Sequence, residues 1–339
     1  MKECLNYKKI DKDRLHCFAC AHNCQIRSGH RGVCAVRENI NNKLFSLTYG
    51  RLSAVNFDPV EKKPLFHFLP GEKTLSFGSF GCNLACDNCQ NFDISQLSEA
   101  RFNLSEEENI VDSGDLIVSA KENGANIIAN TYNEPTINLE YALDVMQEAR
   151  KEKRLNVWVS NGFMTSQTVD LIVPYLDAIN IDIKSFDNDF YSRNCRAKLE
   201  SVLETCKKMA ENKIWLEITT LLIPGYTDSK KNITKIAKFI KEELGDFVPW
   251  HLSAFSGRIS WKMKEVPNTD FAKIREAWRI GREEGLKYVY SGNLSAEKME
   301  NTYCPSCENL LIERNGYEVV RFDDKGACLK CGEPLSGKF

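Results

Sequence analysis

From residue 74 onward, apolar runs of strand length alternate with segments of helical period, which restricts the chain to repeated βα units around a parallel sheet. The runs cover residues 74–80, 127–132, 155–160, 178–184, 214–223, 250–255 and 288–290. Between them, Leu139, Ala142, Leu143 and Met146 share one helical face, as do Ile233, Ile236, Ala237 and Ile240, and Ile274, Ala277, Trp278 and Gly281. These stripes are read as core. An α/β barrel uses more than ~200 residues as one domain, so 339 residues accommodate one barrel and small appendages. Chemistry in such barrels sits at the carboxyl ends of the strands, which makes the residues just after each run the candidates.

The second constraint is cysteine. Fourteen are present, eleven of them in three groups: Cys17, Cys20, Cys24 and Cys34; Cys82, Cys86 and Cys89; and Cys304, Cys307, Cys328 and Cys331. Cys4, Cys195 and Cys206 stand outside these groups. No run approaches the ~18 apolar residues of a membrane span, and the start lacks the apolar core of a signal peptide, so the expected compartment is cytoplasmic. Thiols in a reducing compartment point to metals rather than disulfides. A net charge of −2 offers no global basic field for nucleic acid or membranes.

The middle group, spaced C-x3-C-x2-C within Gly78-Ser79-Phe80-Gly81-Cys82-Asn83-Leu84-Ala85-Cys86-Asp87-Asn88-Cys89-Gln90-Asn91, supplies three corners of a four-iron cluster and leaves one iron open. The first group puts four soft ligands into eighteen residues, with Gly29 and Gly32 for tight turns; it suits zinc first and an auxiliary iron–sulfur cluster second. The last group, two C-x2-C knuckles separated by 20 residues, reads as a zinc ribbon whose four thiolates close a structural site. Residues 43–56 read as a hairpin around Gly50, and residues 61–71 as a turn-rich connector with solvated charges and a structural His67. The expected domains are a cysteine-rich module with that hairpin at 1–72, the barrel at 73–293 and the ribbon tail at 294–339.

The C-x3-C-x2-C loop closely resembles the signature of radical S-adenosylmethionine (radical SAM) enzymes. Further motifs extend the resemblance over nearly the whole chain: the N-terminal quartet, Tyr132-Asn133-Glu134-Pro135-Thr136, residues 215–225 from Trp-Leu-Glu to Pro-Gly, and the closing Asn301-Thr302-Tyr303-Cys304-Pro305-Ser306-Cys307. Together they resemble the radical SAM component of the AmmeMemoRadiSam system, itself similar to pyruvate formate-lyase activating enzymes. The resemblance implies a partial TIM-like (β/α)6 barrel with a 4Fe-4S cluster on Cys82, Cys86 and Cys89 that binds SAM. It also implies reductive cleavage of SAM to a 5'-deoxyadenosyl radical, which takes hydrogen from a substrate. Expected partners are AMMECR-type and Memo-type proteins and a one-electron donor such as flavodoxin or ferredoxin.

Matched position by position, the resemblance assigns Glu134 to the SAM amine, and Ser160 and Asn161 to the SAM site. It sets Asp182 and Lys184, from an Asp-x-Lys motif, in the active site. His251, at the end of its strand run, is read as a proton carrier or SAM contact, with packing as an equal alternative. Activating enzymes commonly carry an arginine where this chain has Glu217-Ile218-Thr219. A peptide, a protein or a small molecule is the expected substrate. The competing readings are a glycyl-radical activase and, from another class, a noncatalytic zinc-module protein that binds nucleic acid or a partner.

Overall fold

The computed structural model describes residues 1–97, 110–293 and 298–339. Its centre is an open sheet of eight strands among the described residues: β1 (Ala54–Pro59), β2 (Lys73–Gly78), β3 (Ile127–Asn130), β4 (Leu155–Ser160), β5 (Ala178–Asp182), β6 (Trp215–Leu222), β7 (Trp250–Ala254) and β8 (Val289–Gly292). They lie in chain order, all parallel from β2 to β8, with β1 antiparallel on one edge. Helices α1 (Ser113–Glu122), α2 (Leu139–Lys151), α3 (Ser166–Ile172), α4 (Leu199–Glu211), α5 (Lys230–Phe239) and α6 (Phe271–Glu283) follow β2 through β7 in turn. This is the partial (β/α)6 barrel, with β8 and β1 left as its two edges.

The helical stripes are buried as expected, except that Trp278 is only partly covered and donates Nε1–H to the Val289 carbonyl at 2.8 Å. Their shared core runs from Leu84 on the cysteine loop through α2 to α6.

Two expectations about the N-terminal region change. The hairpin of residues 43–56 does not form: Lys43–Ser46 pairs back with Arg37–Ile40, while Ala54–Pro59 joins the barrel sheet beside β2. Gly50, at φ +72°, turns the chain from one sheet to the other. The barrel sheet therefore begins at residue 54, earlier than the expected boundary at 73. The expected boundary at 293/294 borders residues outside the described ones.

Residues 60–71 are not a solvated connector. They plug the amino-terminal end of the barrel, where Glu217 of β6 accepts the backbone N–H of Phe66 and of His67 at 2.9 and 2.8 Å. The C-terminal ribbon seals this plug from outside. Its buried Arg314 donates to the Phe66 carbonyl at 2.8 Å and faces the equally buried Glu61 at 3.7 Å.

Candidate active site

The cysteine loop follows β2, and side chains from elsewhere hold it. Asn133 accepts the Ser79 N–H through Oδ1 at 3.1 Å and donates Nδ2–H to the Gly81 carbonyl at 2.8 Å. His22 of the N-terminal module donates Nε2–H to the Asn83 carbonyl at 2.6 Å. Asn161 donates to Asn83 Oδ1 at 2.8 Å and to Cys82 Sγ at 3.7 Å. On the far side, Trp261 N–H reaches the Cys89 carbonyl at 3.0 Å, and Asn194 pairs with Asn88 at 2.8 Å. The loop is thus clamped by hydrogen bonds that its own sequence does not supply.

Cys82, Cys86 and Cys89 open on one cleft of about 380 Å³ at the carboxyl ends of the strands. Ser160, Asn161, Asp182, Lys184 and Thr219 share its wall. Asp182 and Lys184 are paired at 2.8 Å, two apart along β5 and its extension, and so face the same side. Burial disfavours the Lys184 charge, but Asp182 and the thiols of Cys86 and Cys195 outweigh it and raise its pKa well above the usual value. Burial likewise raises the thiols of Cys82 and Cys89.

Two expected site residues do not line this cleft. The Glu134 carboxylate is turned into the protein. It accepts Thr136 N–H, Thr136 Oγ1–H and Ser160 Oγ–H at one oxygen and Asn161 N–H at the other, all within 2.6–3.0 Å. It positions the Ser160-Asn161 turn, and the neighbouring Thr131, Tyr132 and Asn133 line the cleft in its place. His251 is buried below the cleft with Nε2 at 2.7 Å from Glu217 and its ring edge-on to Phe66. It borders a second cleft of about 290 Å³, lined also by Tyr317 of the ribbon, which meets the first at Lys62, Ser253 and Asn293.

Sequence reasoning missed two thiols. Cys195 ends the helical turn after β5; its carbonyl accepts the Ala85 N–H at 3.1 Å, beside Cys86, and each thiol is the strongest influence on the other's pKa. Cys4 is buried beside Cys17 and Cys34. No local spacing signals either contact.

The model of the radical SAM superfamily matches residues 77–240, the stretch that carries this cleft from β2 to α5. An uncharacterized protein of Methanocaldococcus jannaschii is 39% identical over 340 residues, 99% of each chain. This chain belongs to the radical SAM superfamily. The radical SAM enzyme is also similar to the pyruvate formate-lyase-activating enzyme of Clostridium pasteurianum, at 24% identity over 61% of this chain and 89% of that enzyme. The structure of Streptococcus suis SuiB bound to precursor peptide SuiA superposes on 69% of this chain and 51% of its own, with 17% identity and a TM-score of 0.51, a likeness of fold.

The site fits the family's cluster and SAM. Three thiols free of disulfides share one cleft wall, which leaves one corner of a four-iron cluster to a ligand. In the radical SAM enzyme's tail, Cys304, Cys307, Cys328 and Cys331 bring their sulfurs within 4.8 Å of one another, with Cys304–Cys331 at 3.5 Å and Cys307–Cys328 at 3.7 Å. Four sulfurs at ~2.3 Å from one ion are about 3.8 Å apart, so this set is shaped for a single tetrahedral metal. Among the described residues no helix is long and apolar enough to cross a membrane.

Proposed function

We propose that this enzyme cleaves SAM reductively at a cluster held by Cys82, Cys86 and Cys89, and abstracts hydrogen from a peptide, protein or small-molecule substrate. The observation that carries the reading is the convergence of this thiol triplet with Ser160, Asn161, Asp182 and Lys184 on one cleft. When bound, the cluster supplies one electron to SAM, which yields methionine and a 5'-deoxyadenosyl radical. Asn161 orients the Cys82 sulfur through its Nδ2–H, and Glu134 fixes Asn161 from behind. Lys184 offers the carboxylate of SAM or substrate a cation, with Asp182 holding its ammonium in place. Substrate reaches the cleft past Lys62, Ser253 and Asn293, where the second cleft joins it.

The tail quartet holds zinc in a closed structural site, for which the sulfur spacing is the support. AMMECR-type and Memo-type partners, a flavodoxin-like or ferredoxin-like donor and a cytoplasmic setting rest on the motif resemblance and family chemistry. Anaerobic reconstitution with SAM and a reductant tests the central reading. The wild type is expected to release 5'-deoxyadenosine and Cys86→Ala to release none; an equal rate from that variant would remove the triplet from the mechanism.

A second reading, glycyl-radical activase, draws on the 24% identity to an activating enzyme. It requires a stable glycyl radical in a partner protein after turnover, seen by electron paramagnetic resonance (EPR), where the first reading leaves a new covalent bond seen by mass spectrometry.

A further inference from the structure

The second cleft, about 290 Å³ and at the small end of ligand pockets, holds polar groups that the fold leaves short of partners. Glu61 is only 4% exposed; its Oε1 accepts Gly71 N–H at 3.0 Å, but Oε2 has no hydrogen-bond partner among the described residues. The same holds for Oγ of the fully buried Ser291. Both residues line the cleft. A buried carboxylate oxygen without a donor is costly, and a ligand that brings N–H groups and positive charge removes that cost.

Charge at this wall is unbalanced toward the negative. Glu61, Glu217 and Glu300 all act on one buried guanidinium, that of Arg314. Glu217 is already served by the backbone N–H groups of Phe66 and His67, by Trp215 and by His251. Arg314 directs its terminal N–H groups to the carbonyls of Glu300 and Phe66 and to the Thr302 hydroxyl, and meets Glu61 only through Nε at 3.7 Å. Two carboxylates of the cleft, Glu61 and Glu300, thus share one cation, and burial pushes both carboxyls up. Lys62 at the rim does not redress the balance, because Asp58 holds its ammonium at 2.7 Å. The rings of Phe66 and Tyr317 complete a lining suited to an alkyl stem with a cationic end.

We infer that the second cleft is the substrate subsite and takes an alkyl ammonium or guanidinium group between the carboxylates of Glu61 and Glu300. This names a substrate class for the reaction proposed above and rests on that reading. A group anchored here leaves the rest of the substrate at Lys62, Ser253 and Asn293, where the cleft opens on the thiol triplet.

The test is calorimetric titration of the full chain, reconstituted with iron, sulfide and SAM and kept without reductant, so that binding is read apart from turnover. The probes are n-butylammonium and an end-capped pentapeptide of glycines around one lysine; the tighter of the two assigns the group to a free amine or to a side chain. Both are expected to bind about tenfold or more tightly than their uncharged counterparts, n-butanol and the norleucine peptide. Glu300→Gln should weaken the charged probes about tenfold and leave the uncharged ones unchanged. Because Glu61→Gln also disturbs Gly71 and Arg314, Glu300→Gln carries the decision. Equal affinity for charged and uncharged probes, tighter binding of butyrate, or an unaffected Glu300→Gln would overturn the inference. Amine binding by an enzyme that releases no 5'-deoxyadenosine on reduction would instead sink the proposed function, so the two failures are distinguishable.

Discussion

At the scale of single residues, the cleft turns on Lys184. Its ammonium is paired with Asp182 at 2.8 Å in the cleft that the thiols of the cluster loop and Thr219 also line. Two charges so placed are costly unless each is compensated. Lys184→Ala is expected to leave the iron content unchanged while weakening SAM binding or coupled turnover about tenfold or more, a loss of ~1.4 kcal/mol. Unchanged affinity and turnover would reduce the pair to a structural ion pair. The Asp-x-Lys motif set Asp182 and Lys184 in the site, and the period of a strand puts two such residues on one face. The resemblance set Glu134 at the SAM amine, whereas here it turns inward, and of the two readings left open for His251 the packed one is found, because a carboxylate or imidazole after a strand points to a ligand or to a neighbour according to what packs behind it. Here Ser160, Asn161 and Glu217 take both groups.

At the scale of elements, the plug of residues 60–71 carries a pH dependence. His67 is fully buried; its Nδ1–H donates to the Ser336 carbonyl, and Nε2 accepts the Tyr290 hydroxyl at 2.6 Å. Burial pushes its pKa down to about 4 from 6.5, with Glu217 opposing and Arg314 and His251 adding to the shift. The unfolded chain therefore binds this proton at a higher pH than the folded one. The contribution is fully present above pH 6.5 and is lost as pH falls toward 4, on the order of 3 kcal/mol. Glu217 acts in the same direction at lower pH: burial opposes its charge, but the hydrogen bonds from His251 and Trp215 and the two nearby imidazoles, His251 and His67, together outweigh burial and hold its pKa below the usual carboxylate value. Denaturant unfolding between pH 4 and 7 should show this fall, and His67→Gln should flatten it. A second element-scale test is Gly81→Ala. At φ +88°, with the Cys34 carbonyl in the way, this change should cost about 1–3 kcal/mol and loosen the cluster loop, read as lower iron retention on gel filtration. Full stability and iron content would mean that the module and the loop part easily.

At the scale of the whole molecule, the ribbon is a lock on the barrel. Cys304, Cys328, Leu311, Ile312 and Leu335 share one core with Phe66, Tyr288 and Tyr290, and Arg314 reaches through it to the plug. Chelation of the tail metal should therefore lower the melting temperature of the entire chain, and Arg314→Met, which strands the buried Glu61, should cost about 3–5 kcal/mol. Chelation that melts the tail alone would show the two units to be independent. The sequence by itself determined the parallel α/β order, the three thiol groups and the cleft triplet, because strand period, helical stripes and ligand spacing are local patterns. Tertiary structure decided the rest: that Ala54–Pro59 extends the barrel sheet, that residues 60–71 are a plug, that Cys195 sits against the cluster loop, and that Glu134 turns inward behind Ser160 and Asn161. Each of these depends on contacts between residues far apart in the chain, and no local period encodes such a contact.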